Sequence, residues 1–248
     1  MRAWYCMLGC LLCAGLAPPA QASIIFNVAL SDVISENGGP DGEGPWLEAV
    51  FAPTTVAGSS VTLTLKAHLG VLSEFISDVA FCAPDSVLAS LTLTQLPEGS
   101  PSHPIALQPV AIGKNQQNLP AIKGFDVKIR WTTANNPDRY SGLYDDDEVQ
   151  FELKWNRVAS GVGSASAFIQ ALEDLQNDPG KKPTDPLPDL RYFMGAHVQG
   201  IPGGKSATIG GNDGFQEAPE PGTLALVGLG LLGVIWQRVG RRHTSLSQ

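Results

Sequence analysis

Positive charge, histidine and cysteine are all scarce in this chain, and each shortage removes a class of function. Sixteen Lys and Arg stand against 24 Asp and Glu, a net charge of −8. A balance of that sign cannot coat nucleic acid by neutralising phosphates. Of the four cysteines, only Cys82 lies beyond the first thirteen residues, so a form trimmed at its N-terminus has no intrachain disulfide. Flanked by Phe81 and Ala83, Cys82 reads as a small buried hydrophobe. The histidines show neither H-x-x-x-H nor H-x-H spacing, which would set two imidazoles on one metal, and no G-x-S-x-G nucleophile elbow occurs. What is present is 248 residues, 43% hydrophobic, with 27 Gly and 19 Pro, enough for one large or two small folded domains.

The two ends read as transport devices. Arg2 is a short positive region, Met7 to Leu16 is apolar, and Ala20-Gln21-Ala22 offers small residues for cleavage before Ser23. Residues 1–22 are therefore expected to be a secretory signal peptide. At the other end Pro219-Glu220-Pro221 precedes fifteen uncharged residues, Gly222 to Trp236, and then Arg238, Arg241 and Arg242. A helix over 222–239 would be ~27 Å long, about the thickness of a hydrocarbon core. The arginines place its lower end on the cytoplasmic side of the inner membrane, with the body outside. Gly228-Leu229-Gly230-Leu231-Leu232-Gly233 spells G-x-G-x-x-G but has no acidic residue ~20 positions later, so it is not a dinucleotide site.

Pro-Glu-Pro, an apolar Leu- and Gly-rich segment and a terminal Arg cluster, over Ala218 to His243, resemble the PEP-CTERM sorting signal of bacterial proteins. The resemblance implies processing by an exosortase in a Gram-negative cell that makes extracellular polysaccharide. It implies a destination and no activity. Pro219, Glu220 and Pro221 would be the recognised element, and Arg238, Arg241 and Arg242 the cytoplasmic anchor.

Between the ends the chain reads in period two, the mark of half-buried antiparallel strands. Val61, Leu63 and Leu65 alternate with Thr62, Thr64 and Lys66. Phe125, Val127, Ile129 and Trp131 alternate with Asp126, Lys128, Arg130 and Thr132, and Val149, Phe151, Leu153 and Trp155 with Gln150, Glu152, Lys154 and Asn156. Further strands are expected at 24–30, 46–51, 79–82, 87–94, 105–112 and 192–199. The pattern predicts a mainly β chain, an antiparallel β-sandwich of jelly-roll-like form over 23–199, with about 35–45% strand against the usual ~20–25%. One short helix is expected where Phe168, Ala171, Leu172 and Leu175 recur, with Ser164 or Ser166 as its cap. A Pro-rich loop follows over 177–189, and the Gly-rich stretch 200–218 reads as a tether to the membrane segment.

Trimmed to 23–218, the body carries twelve basic and 23 acidic residues, a net charge of −11. That favours solubility, cations or cationic partners. The run Asp145-Asp146-Asp147-Glu148 has two readings: hard oxygen ligands that calcium could gather, chiefly Asp145, Asp147 and Glu148, or a solvated turn. It lacks the glycines of the Asp-Gly-Asp-Gly stretch found at the corresponding place in similar exported proteins. Gly195-Ala196-His197-Val198-Gln199-Gly200 resembles an AHVQ segment of uncharacterised proteins with this sorting signal. There His197 and Gln199, on one strand face, would pair on a ligand or metal, or would satisfy neighbouring backbone groups. His68 and His103 read as surface residues. Two functions compete: a noncatalytic exported module that binds matrix polysaccharide or protein, and a glycan-active enzyme or calcium-dependent lectin-like module drawing carboxylates from Asp126, Asp145 or Glu148.

Overall fold

The structure, a computed structural model, describes residues 24–35, 38–55, 58–99, 107–131, 142–177, 192–211 and 216–217. The signal peptide, His103, the Pro-rich loop beyond Asn177 and the sorting segment 219–243 lie outside the described residues. The strands are β1 (Ile24–Leu30), β2 (Asp32–Val33), β3 (Leu47–Pro53), β4 (Ser60–Ala67), β5 (Phe75–Phe81), β6 (Thr92–Gly99), β7 (Ala111–Asn118), β8 (Lys123–Arg130), β9 (Glu148–Lys154), β10 (Met194–Ile201), β11 (Lys205–Gly211) and β12 (Gln216–Glu217). Strands make up 51% of the described residues.

They form two six-stranded antiparallel sheets, ordered β12-β1-β3-β4-β9-β6 and β2-β11-β10-β5-β8-β7. The alternation in the sequence dictates how they meet. Val61, Leu63 and Leu65 of β4, Phe51 of β3 and Phe151 of β9 are wholly buried, while Thr62, Thr64 and Lys66 are only partly so. Opposite them lie Phe81, Val127 and Ile129 of the second sheet. The sheets lock through aromatic edges: Phe51 meets Phe81 at 5.5 Å between ring centroids, and Phe26 meets Phe193 at 5.0 Å, both T-shaped. Each such pair adds about 0.5–1.5 kcal/mol beyond its buried area. Truncating Phe51 to alanine would cost about 3–5 kcal/mol.

Among the described residues three helices accompany the sheets: α1 (Asp85–Leu88), α2 (Arg157–Ser160) and α3 (Ala165–Asn177). The expected helix is α3. Ser164 caps it, its Oγ accepting from the Ala167 amide at 3.1 Å, and Phe168, Ile169 and Leu172 are buried. Phe168 stacks on Trp155 at 4.6 Å, which joins the helix to the strand that ends just before it.

The structure departs from the expectation in four places. Two sheets of six strands exceed the eight strands of a jelly roll. Part of the expected strand 87–94 is α1, because Pro84 is extended at its N-cap and Asp85 favours its first turn; the strand starts only at Thr92. The strand expected at 105–112 begins at Ala111, and Leu107 makes only an isolated bridge to Trp131. Finally, 205–211 is no tether: β11 pairs with β10 and β2 and is buried from Ala207 on. Its glycines serve close packing. A Cβ on Gly211 would lie 2.0 Å from the Ala29 carbonyl oxygen, and one on Gly210 2.5 Å from the Tyr192 ring.

Candidate functional site: a polar cluster on the second sheet

β5 is buried along its whole length, as a strand covered on both faces must be, yet it carries Ser77 and Asp78 at its centre. A β-bulge puts them there. His197 of β10 pairs with Asp78, and the next residue, Val198, pairs with Ile76, so that Ser77 is the extra residue. Two residues of β5 then oppose one of β10, and both polar side chains reach the same histidine. In register across four strands run Thr208, His197, Asp78 and Arg130.

Ser77 Oγ donates to Asp78 Oδ2 at 2.9 Å and lies 3.1 Å from His197 Nδ1, while Gln199 Nε2 donates to Ser77 Oγ at 3.0 Å. An ionised carboxylate only accepts, so the Ser77 hydrogen goes to Asp78, and the His197 Nδ1–H donates to Ser77. Arg130 Nε donates to Asp78 Oδ1 at 2.6 Å, and Lys128 Nζ stands 3.2 Å from the same oxygen. Burial alone would raise the Asp78 pKa. The His197 imidazole 3.7 Å away, the hydrogen bonds from Arg130 and Ser77 and the charge of Lys128 outweigh it and hold the carboxyl well below its ordinary range. Asp78 is therefore an anion at any physiological pH.

Serine, histidine and aspartate in contact suggest a hydrolytic triad, and the geometry rejects it. In a triad the serine meets one ring nitrogen and the carboxylate orients the other. Here Ser77 and Asp78 approach the same nitrogen, Nδ1, at 3.1 and 3.7 Å, and Ser77 is 1% exposed. The three side chains are therefore not arranged as such a triad, and their contacts hold one another in place. Beside it a cavity of about 230 Å³ opens between β7 and β8, lined in part by Lys128 and Arg130.

The other expected residues bond to neighbouring backbone amides or side chains. In the acidic turn, Asp145 Oδ1 accepts from the Leu69 amide and Asp147 Oδ2 from the Tyr144 amide, both at 2.8 Å, and Glu148 accepts from Gln150 Nε2 at 3.2 Å. Asp146 takes the left-handed conformation, φ 61°, where a glycine would sit without strain. Asp145, Asp147 and Glu148 are near in sequence but do not converge: among the described residues no three His, Cys, Asp or Glu could hold one metal ion. Asp126, 5% exposed, accepts from the Ala83 and Asn115 amides at 3.0 and 2.8 Å; burial raises its pKa against those two bonds. His68 stands 3.4 Å from Glu48. Cys82 is buried.

His197 and Gln199 are thus brought together, as their strand spacing requires, but on Ser77. Sequence reasoning missed Ser77, Asp78, Lys128 and Arg130 as a group. The legible signal was a charged residue inside the apolar run Phe75 to Ala83, which a buried strand tolerates only with partners. Pro219, Glu220, Pro221, Arg238, Arg241 and Arg242 lie outside the described residues. Among those described, no helix is long and apolar enough to cross a membrane.

Residues 217–242 match the family model of the PEP-CTERM protein-sorting motif. The match marks the chain as an exosortase substrate, exported and passing through a membrane-anchored sorting intermediate. No curated protein and no solved structure matches the chain.

Proposed function

We propose that this exosortase substrate is a cell-envelope or extracellular-matrix protein whose β-sandwich is a noncatalytic module for binding or structure. The PEP-CTERM match at 217–242 is the observation that carries the reading. In it, residues 1–22 are removed on export, and 222–239 cross the inner membrane with Arg238, Arg241 and Arg242 below. Exosortase acts near Pro219, Glu220 and Pro221, where proline prevents a helix from running on into the body. The module then meets extracellular polysaccharide. Its noncatalytic character is supported by the carboxylates themselves: Asp126, Asp145 and Glu148, which a glycan-cleaving site would need free, each accept hydrogen bonds within the fold.

The test is processing. Changing Pro219-Glu220-Pro221 to alanines, in a cell with an active exosortase, leaves export intact and makes the full-length precursor accumulate in the inner membrane. Replacing the three arginines disturbs orientation instead. Normal maturation of the alanine variant would overturn the sorting assignment.

A further inference from the structure

We propose that the cavity between β7 and β8 binds a single uronic acid residue of an acidic polysaccharide, with Arg130 taking the carboxylate and the amides around it taking hydroxyls. The inference rests on the matrix-binding reading above and names its ligand. Gln108, Gln117 and Asn118 stand with Lys128, Arg130 and Pro109 around about 230 Å³. That is less than the roughly 300–1,000 Å³ of sites for drug-sized molecules, a volume for one sugar ring and not for a long segment.

The charge is local and held in place. Asp78, almost wholly buried, accepts from Arg130 Nε, which leaves the two terminal amino groups outside that bond, on a side chain 50% exposed. A guanidinium fixed from behind has already lost much of the freedom that binding would otherwise take away, and its fork matches a carboxylate. Lys128 is held on its other side by the Asn118 carbonyl at 2.6 Å. Two cations against one buried anion leave one net positive charge in a body of net charge −11. A dense polyanion is repelled by such a surface. A polymer with a carboxylate only at some sugars, and hydroxyls elsewhere, fits both the single charge and the three amides.

The test is calorimetric titration of the full-length chain in detergent with glucuronosyl-xylotriose, which carries one carboxylate on otherwise neutral sugars, its methyl ester, maltotriose and a triglutamate peptide. Glucuronosyl-xylotriose is expected to bind, and both esterification and Arg130→Gln to weaken it at least about tenfold, the loss of a charge-assisted bond. Because Arg130→Gln also removes a partner of Asp78, Gln117→Ala provides a second variant remote from that carboxylate, expected to weaken binding about threefold or more with an unchanged melting temperature. Wild-type affinity in both variants, or triglutamate binding as tight as glucuronosyl-xylotriose, would overturn the proposal. Binding of maltotriose untouched by either substitution would overturn this pocket and keep the matrix-binding reading; failure of the wild-type chain to bind any saccharide would overturn both.

Discussion

Replacing Asp78 by alanine would take from the centre of β5 the carboxylate that Ser77, Arg130 and Lys128 share. Removing one partner of a buried pair costs about 3–5 kcal/mol, because the charge left behind has no compensation. Lys128, with 11% of its side chain exposed, is such a charge, whereas Arg130, at 50%, can turn to water. The lower end of the range, about 3 kcal/mol, is therefore expected. In a body of this size that lowers the melting temperature by roughly 6–12 °C. The assay is thermal unfolding of the purified chain followed by near-ultraviolet circular dichroism, wild type against Asp78→Ala, from pH 7 downwards. The folded-state pKa of Asp78 lies below its unfolded value of ~3.9. Its stabilisation is thus complete above that value and is lost as the pH falls through the lower, folded pKa, so the two melting curves converge in acid. A loss smaller than about 3 °C at neutral pH, or a gap that stays constant down to pH ~2, would refute the account of this cluster as a buried ionic lock.

Glu74 behaves with the opposite sign. It is fully buried, with Oε1 accepting from the Asp41 amide at 3.0 Å and Oε2 without a hydrogen-bond partner among the described residues, and burial raises its pKa. Glu74→Gln should therefore raise the melting temperature at pH 7 by about 2–4 °C, on the order of 1 kcal/mol, an advantage that fades below pH ~4.3; a destabilised variant would show the carboxylate to be needed. In the acidic turn, where Asp145 and Asp147 cap amides, a chelator should leave the melting curve unchanged, and Asp147→Ala should cost about 1 kcal/mol through the lost Tyr144 bond; a chelator-induced drop would restore calcium to Asp145, Asp147 and Glu148. The alanine exchange at Pro219-Glu220-Pro221 and the Arg130→Gln titration complete the set.

The strands legible in the sequence are those whose alternation is sustained. Val61 to Leu65, Phe125 to Trp131 and Val149 to Trp155 bury the side chains that period two assigns to the core. Sequence pattern alone starts β5 only at Val79, because Ser77-Asp78 breaks an apolar run and looks like its boundary. Nothing local says that Arg130, fifty-two residues on, and His197, nearly 120 residues on, make that position tolerable. A bulge depends on the register of a distant partner, and sequence spacing does not carry register. β11 was missed for a related reason: glycine lowers strand propensity, yet the approach of β1 and Tyr192 requires glycine at 211 and 210. Lys128 and Arg130 were correctly placed on the face opposite Val127 and Ile129, but their common partner was out of sight.

The strand order also sets a timetable. β5 is flanked in its sheet by β10 and β8, and β4 by β3 and β9, so each central strand waits for a partner far along the chain. Such long loops close slowly and leave apolar edges open meanwhile. In a chain delivered across a membrane from its N-terminus, the second sheet has no middle until residues 194–211 have emerged, immediately ahead of the sorting motif at 217–242. Completion of the body and presentation of the tail thus become consecutive events, and a substitution that slows closure of β10 on β5 would delay maturation without touching the motif itself.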